Sequence, residues 1–176
     1  MNSGTFDLRV MGGAGACIGS GSQASAGDVI IKNAIIRAEE NDGACIGSGC
    51  GASVGNITIQ NSKIEVHNVD TVQSGGSWQF NGANIGSGAG IGSGLYLGGR
   101  SASAGDITIT GSDVIATSEW GAGIGSGANG SSVGNITLGR QSIRQATSTH
   151  AENVGKGWQS TAGTVTWELS RNKLYI

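Results

Sequence analysis

The sequence predicts an all-β fold in which short strands stack into about five coils of a solenoid. The motif Gly-Ala-x-Ile-Gly-Ser-Gly begins at residues 15, 43, 82 and 121. A second signature, Gly-(Asp/Asn)-(Ile/Val)-x-(Ile/Leu), begins at residues 27, 55, 105 and 134. The first two copies of each lie 28 residues apart, and self-similarity at periods of 20 to 50 residues is typical of solenoids.

The composition indicates one folded domain over residues 1–176. The chain has 34 glycines without any proline, which excludes collagen, and its regularly placed isoleucines argue against a disordered linker. A formal net charge of −2 gives no field that would attract nucleic acid or an anionic membrane. We therefore expect neither partner.

The apolar residues are too dispersed to form a membrane-spanning helix. No signal-peptide pattern follows Met1, although we expect an extracellular or cell-surface location. The odd number of cysteines argues against a disulfide framework. We expect Cys17 and Cys45, which hold equivalent positions pointing away from the isoleucine face, to be free thiols. Cys50 has no partner at an equivalent position, and it is either a reactive residue or a small turn residue.

Apolar residues alternate at a period of two, which favours strands over helices. A coil of about 28 residues suits three short strands joined by turns. The predicted inward columns are Ile18, Ile46, Ile85 and Ile124; Val29, Ile57, Ile107 and Ile136; Ile31, Ile59, Ile109 and Leu138; and Ile36, Ile64, Val114 and Ile143. Stacking like side chains lets each coil bury its apolar edge on its neighbours.

Polar residues at the turns are predicted to be structural. The column concerned contains Asp28, Asn56, Asp106 and Asn135, each one residue after a glycine. We expect its asparagines to bond from coil to coil and its aspartates to bond their own turn amides.

The two ends of the chain extend the pattern. Residues 4–8 match the second signature, which places Phe6 and Leu8 inward. A degenerate coil is predicted over residues 155–176, in which Trp158 replaces the inward isoleucine and Trp167 replaces the Ile/Leu position. We expect these bulky rings to close the end of the stack, because solenoids need protected ends.

These motifs resemble the right-handed parallel β-helix repeats of pectate-lyase-like architecture. More narrowly, they are similar to the Gly-Ala-Gly-Ile-Gly-(Ser/Gly)-Gly repeat regions of large bacterial cell-surface proteins. The resemblance covers nearly the whole chain and implies a right-handed parallel β-helix. It implies no activity, because the same scaffold serves many functions, and no catalytic motif can be carried over.

The sequence offers little catalytic chemistry. The acidic residues are scattered, and Asp28 and Asp106 are separated by Asn56 within their column. His67 and His150 are single residues without metal-ligand spacing, so we expect both at the surface. We predict no catalytic residue, no metal and no cofactor.

Two insertions, at about residues 67–81 and 89–103, interrupt the repeats, and long loops on a rigid scaffold often carry function. If they fold over one flank, aromatic rings there could stack on sugars with polar neighbours beside them. The predicted ligand-binding residues are Trp78, Tyr96, Arg100, Trp120 and Asp70. The alternative is that Trp78, Tyr96 and their apolar neighbours form a small core that fixes the insertions.

We therefore expect a non-enzymatic structural or adhesive repeat domain, whose partners are polysaccharide or further repeats of the same protein. One alternative is a polysaccharide-binding or polysaccharide-degrading domain that uses the insertion flank. Another is end-to-end self-association into a filament through exposed coil edges.

Overall fold

The computed structural model describes residues 5–9, 15–40, 43–68, 83, 85–86, 88, 101–139 and 142–168. These residues form strands and turns, and none of them is helical. The strands are β1 Thr5–Arg9, β2 Ile18–Gly19, β3 Val29–Lys32, β4 Ile35–Glu40, β5 Ile46–Gly47, β6 Ser53–Val54, β7 Ile57–Gln60, β8 Lys63–Asn68, β9 Ile85–Gly86, β10 Ser103–Ala104, β11 Ile107–Thr110, β12 Asp113–Ser118, β13 Ile124–Gly125, β14 Ser132–Val133, β15 Ile136–Gly139, β16 Ile143–Ser148, β17 Val154–Gly155, β18 Thr161–Ala162 and β19 Val165–Glu168.

The strands form four parallel sheets that repeat once per coil. The long sheet has the order β1-β4-β8-β12-β16, and the four-residue sheet has the order β3-β7-β11-β15-β19. The Ile-Gly sheet is β2-β5-β9-β13-β17, and the Ser-Val sheet is β6-β10-β14-β18. This is an all-β parallel solenoid of about five coils, as predicted. A full coil has four strands rather than the predicted three.

The four predicted inward columns are confirmed. Ile107 pairs in register with Ile57 on one side and Ile136 on the other, and all three are fully buried. The other columns show the same in-register pairing. Full burial of one such side chain stabilises a fold by about 1.5–3 kcal/mol, so the stacked columns are the main apolar core.

Glycine is required in the Ile-Gly sheet by close approach between coils. The glycine column consists of Gly19, Gly47, Gly86, Gly125 and Gly155, with φ between 130° and 146°. At the first four positions, a Cβ atom would overlap the carbonyl oxygen of the glycine in the next coil. The repeated glycine of the motif is therefore a packing requirement as well as a backbone one.

The serine of the motif forms a buried ladder. The hydroxyl oxygens of Ser48 and Ser126 accept hydrogen bonds from the backbone N–H groups of Gly88 and Gly157, at 3.0 Å and 2.9 Å. Both serines are completely buried. Without these serines, the two backbone N–H groups would be buried without a hydrogen-bond partner.

The Asp/Asn column is structural, but its aspartates behave differently from the prediction. The backbone N–H of Asn56 donates to Oδ1 of Asp28 (2.8 Å), and that of Asp106 donates to Oδ1 of Asn56 (2.9 Å). The same pattern continues through Asn135 to the N–H of Thr164. Aspartate and asparagine both bond to the next coil, because only an acceptor oxygen is needed.

The first strand corrects the predicted register of residues 4–8. β1 pairs with β4, so that Phe6 lies opposite Ile36 and Leu8 lies opposite Ala38. The segment therefore belongs to the long sheet and not to the column of the second signature. Both sheets show the same alternation, which is why the sequence pattern did not separate them.

The last coil also begins earlier than predicted. Val154 pairs with Ile124, so Val154 takes the inward isoleucine position that the sequence assigned to Trp158. Trp167 does lie opposite Leu138, as predicted, but it is 44% exposed. Its ring therefore does not seal the described end of the stack.

The insertion boundaries and the cysteines need smaller corrections. β8 continues to Asn68 and β10 begins at Ser103, so these ends of the predicted insertions belong to coils, while most other insertion residues lie outside the described residues. All three cysteines are described, and none forms a disulfide. Cys45, predicted to point away from the isoleucine face, is not at the surface. It is fully buried in the core, and its thiol donates to the carbonyl oxygen of His67 (3.4 Å).

Candidate functional site

Trp120 is the one predicted ligand-binding residue that lies within the described part of the chain. The other four, Trp78, Tyr96, Arg100 and Asp70, lie outside the described residues. Their proximity to Trp120 and their role in a site therefore stay predictions.

Trp120 lies two residues beyond the end of β12, where the chain leaves the long sheet. Ser118, the last residue of β12, pairs with Ser148 at the end of β16. Continuing that register places Trp120 beside His150 of the next coil. The two rings stack with centroids 4.0 Å apart and an angle of 23° between their planes.

Trp158 completes an aromatic cluster, which we define as Trp120, His150 and Trp158. The Trp158 ring meets that of Trp120 edge to face, with centroids 5.9 Å apart and an interplanar angle of 79°. The backbone N–H of Trp158 also donates to the carbonyl oxygen of Trp120 (3.1 Å). Offset and edge-to-face ring pairs are each worth about 0.5–1.5 kcal/mol beyond their area burial.

Polar contacts fix the turns that carry these rings. The hydroxyl oxygen of Ser148 lies 3.0 Å from the carbonyl oxygen of Glu119 and 2.7 Å from that of Gly121. Ser148 Oγ also accepts from the N–H of Ala151 (3.1 Å). These contacts tie the two turns together, so the Trp120–His150 stack is held by backbone anchors on both sides.

A carboxylate lies beside the imidazole of the aromatic cluster. Glu119 Oε1 is 3.7 Å from His150 Nε2, and the His150 side chain is 42% exposed. The exposure of His150 agrees with the prediction that it lies at the surface. The cluster thus presents aromatic surface with an acidic group and an imidazole at its edge, which is a combination suited to contacting hydroxyl-bearing ligands.

In the described part of the chain, no group of three or more His, Cys, Asp or Glu side chains lies close enough together to hold an ion. His67, the second histidine, has its Nδ1 2.7 Å from the hydroxyl oxygen of Thr117 in the next coil of the long sheet. A membrane-spanning helix is likewise not found among the residues that the structure describes.

The sequence prediction did not include His150 and Trp158 in the site. His150 could have been found from the repeat register, because it occupies the position of Trp120 one coil later. Trp158 could not, since the sequence placed it in an inward column. Comparisons with protein-family models, with curated proteins and with solved structures found no match to this chain.

Proposed function

We propose that the chain is a non-enzymatic structural or adhesive repeat domain of an extracellular or cell-surface protein. The supporting observation is that two kinds of contact join each described coil to the next. Apolar columns pack inside the solenoid, and polar side chains at the turns bond to the backbone of the neighbouring coil. Such a repeated unit extends a rigid body by adding coils, which suits a stalk or a presenting scaffold.

The proposal includes the right-handed winding and the kinship that the motifs suggest. Each coil returns the chain to the same parallel sheets, and crossover connections between parallel strands are right-handed in about 98% of cases. The resemblance of the glycine-rich motifs to β-helix repeats of bacterial cell-surface proteins supports the same location.

The location can be tested on intact source cells. Antibodies raised against the domain should label unbroken cells, and brief treatment with an external protease should remove that label. A cytosolic protein measured in parallel serves as the control for lysis. Labelling that appears only after the cells are broken open would contradict the proposal.

The second candidate function is polysaccharide binding at the aromatic cluster, and the half-buried rings of Trp120 and Trp158 beside the exposed His150 favour it. Trp120→Ala should abolish binding on a glycan array, while Trp167→Ala, which removes an exposed tryptophan elsewhere, should leave it unchanged. Incubation with any glycan that binds, followed by assay for shortened chains, separates binding from degradation. An array without signal for the unmodified domain leaves the structural function as the better proposal.

End-to-end self-association is the third candidate, supported by the exposure of Trp167 at the end of an inward column. Light scattering across a range of concentrations tests it. The average mass should rise with concentration, and Trp167→Ala should reduce that rise. A constant monomer mass would argue against self-association.

A further inference from the structure

A second surface lies at the other end of the long strands from the aromatic cluster. Three successive coils turn there from the four-residue sheet into the long sheet, and these turns line an open groove of about 430 Å³. Each coil contributes three consecutive residues, and the complete lining is Asn33, Ala34, Ile35, Asn61, Ser62, Lys63, Gly111, Ser112 and Asp113. Ligand sites commonly have volumes of about 300–1,000 Å³, so this groove is large enough for a ligand.

The backbone N–H groups at the first two turns of the groove are already paired. The N–H groups of Asn33 and Asn61 donate to the carbonyl oxygens of Gln60 and Thr110, both at 3.1 Å. Recognition of a peptide by strand addition needs unpaired backbone groups on the protein. This surface is therefore poorly suited to bind an extended peptide in that way.

The serines of the floor are also satisfied. Ser62 Oγ accepts from the N–H of Ala34 (3.2 Å) and donates to the carbonyl oxygen of Gln60 (2.8 Å). Ser112 Oγ repeats the pattern one coil later, with the N–H of Ser62 and the carbonyl oxygen of Thr110. A ligand must therefore be recognised by the side chains on the rim.

The rim carries side chains whose polar groups are available. The carboxamides of Asn33 and Asn61 and the ammonium of Lys63 are exposed, and none of them bonds to another residue within the described part of the chain. The acidic member, Asp113, is already paired with Arg144, whose Nη2 lies 2.6 Å from its Oδ2. The rim thus offers two neutral amides on successive coils, with one cationic group in the same coil as the second amide.

We infer that this groove binds a linear β-linked glycan that lies along the axis of the solenoid. Parallel strands are about 4.8 Å apart, which is close to the length of one sugar in an extended β-linked chain. Successive sugars therefore meet equivalent positions on successive coils. Each carboxamide supplies two donors and an acceptor, a set that matches the neighbouring hydroxyls of a sugar ring.

Asn33, Asn61 and Gly111 occupy equivalent positions on successive coils, which we call the turn column, and this column allows two complementary sets of variants. Asn33 and Asn61 have φ of 53° and 50°, and Gly111 occupies the same position in the next coil with φ 58°. Asn33→Gly with Asn61→Gly therefore removes both carboxamides and keeps a backbone conformation that the column already accepts. In the opposite direction, Gly111→Asn adds a third amide, and its closest neighbour would be the movable side-chain end of Asn61.

The test is isothermal titration calorimetry with hexasaccharides of β-1,4-linked glucose, xylose and N-acetylglucosamine. At least one should bind the unmodified domain, and the double glycine variant should weaken that binding tenfold or more. Gly111→Asn should strengthen binding and raise the preference for longer oligosaccharides. Circular dichroism and thermal melting verify that each variant is folded.

The site is independent of the aromatic cluster, and Trp120→Ala separates the two. Binding that survives Trp120→Ala but not the double glycine variant supports the groove. The inference is overturned if none of the hexasaccharides binds the folded domain, or if the double glycine variant binds as tightly as the unmodified one.

Discussion

The glycine column of the Ile-Gly sheet and the turn column of Asn33, Asn61 and Gly111 both adopt a positive φ, but they differ in the space that they leave for a side chain. In the glycine column, a Cβ atom would overlap backbone of the neighbouring coil. In the turn column, φ lies between 50° and 58°, the left-handed region that asparagine tolerates, and both asparagines are exposed.

The difference shows that space, rather than φ alone, sets the need for glycine in this fold. The glycine column lies where two coils approach most closely, so its residue type cannot vary. The turn column lies on the outer surface, so asparagine and glycine replace one another from coil to coil. Of these two columns, only the second varies in residue type from coil to coil.

The largest expected effect comes from adding a methyl group to the glycine column. Gly47→Ala would place Cβ against the carbonyl oxygen of Gly86, which is backbone and cannot move aside. We expect a loss of more than about 4 kcal/mol in the free energy of unfolding, measured by urea denaturation followed by circular dichroism. Gly27→Ala is the matched control, because nothing lies within 4 Å of its added Cβ. Equal stability of the two variants would refute the packing explanation.

The buried serine beside the glycine column should come next. Ser126→Ala removes the acceptor for the N–H of Gly157, which lies at 2.9 Å from Ser126 Oγ in a fully buried position. An unsatisfied buried donor costs about 1–3 kcal/mol, and we expect a loss of that size in the same denaturation experiment. Ser103→Ala, at a half-buried position of the Ser-Val sheet, should change stability by less than about 0.5 kcal/mol.

A smaller loss is expected when the turn column receives a residue that disfavours the left-handed region. Asn61→Ala keeps the space but strains the backbone at φ 50°. The left-handed conformation costs about 1–2 kcal/mol for an ordinary residue, so the melting temperature should fall accordingly. A variant as stable as the unmodified domain would show that the turn can relax to negative φ.

The smallest effect should come from Asn61→Gly, because glycine already occupies this column at Gly111. We expect its free energy of unfolding to stay within about 0.5 kcal/mol of the unmodified domain. The side chain of Asn61 makes no bond to another described residue, so its removal has no structural cost there. A loss as large as that of Asn61→Ala would mean that the amide has a structural role after all.

The inward columns could be predicted from sequence because two periodic patterns, one within each strand and one between coils, identify the same residues. The alternation within each strand selects the inward face, and the coil repeat aligns that face between copies, so a one-residue slip would expose every isoleucine. The Ser-Val sheet escaped prediction because a strand of two residues, such as Ser53–Val54, is too short to show any alternation.

The last coil was misaligned for a different reason. Its copy of the motif lacks the isoleucine. The predicted register matches Gly155 and Ser160 to the motif, whereas the observed register matches Gly155 and Gly157 to its last two glycines. Pairing of Val154 with Ile124 selects the correct one. The aromatic cluster was consequently only half predictable, since the place of Trp158 depends on that register while the stacking of Trp120 on His150 follows from the coil repeat.

The direction of the inter-coil hydrogen bonds has a mechanical consequence. In each sheet these bonds connect one coil to the next, and so they lie along the axis of the stack. Tension applied between the two termini would therefore load the bonds of one coil boundary at a time. A tether built this way would lengthen in steps of about one coil. It would therefore unfold gradually, whereas a domain loaded in shear would unfold in a single step.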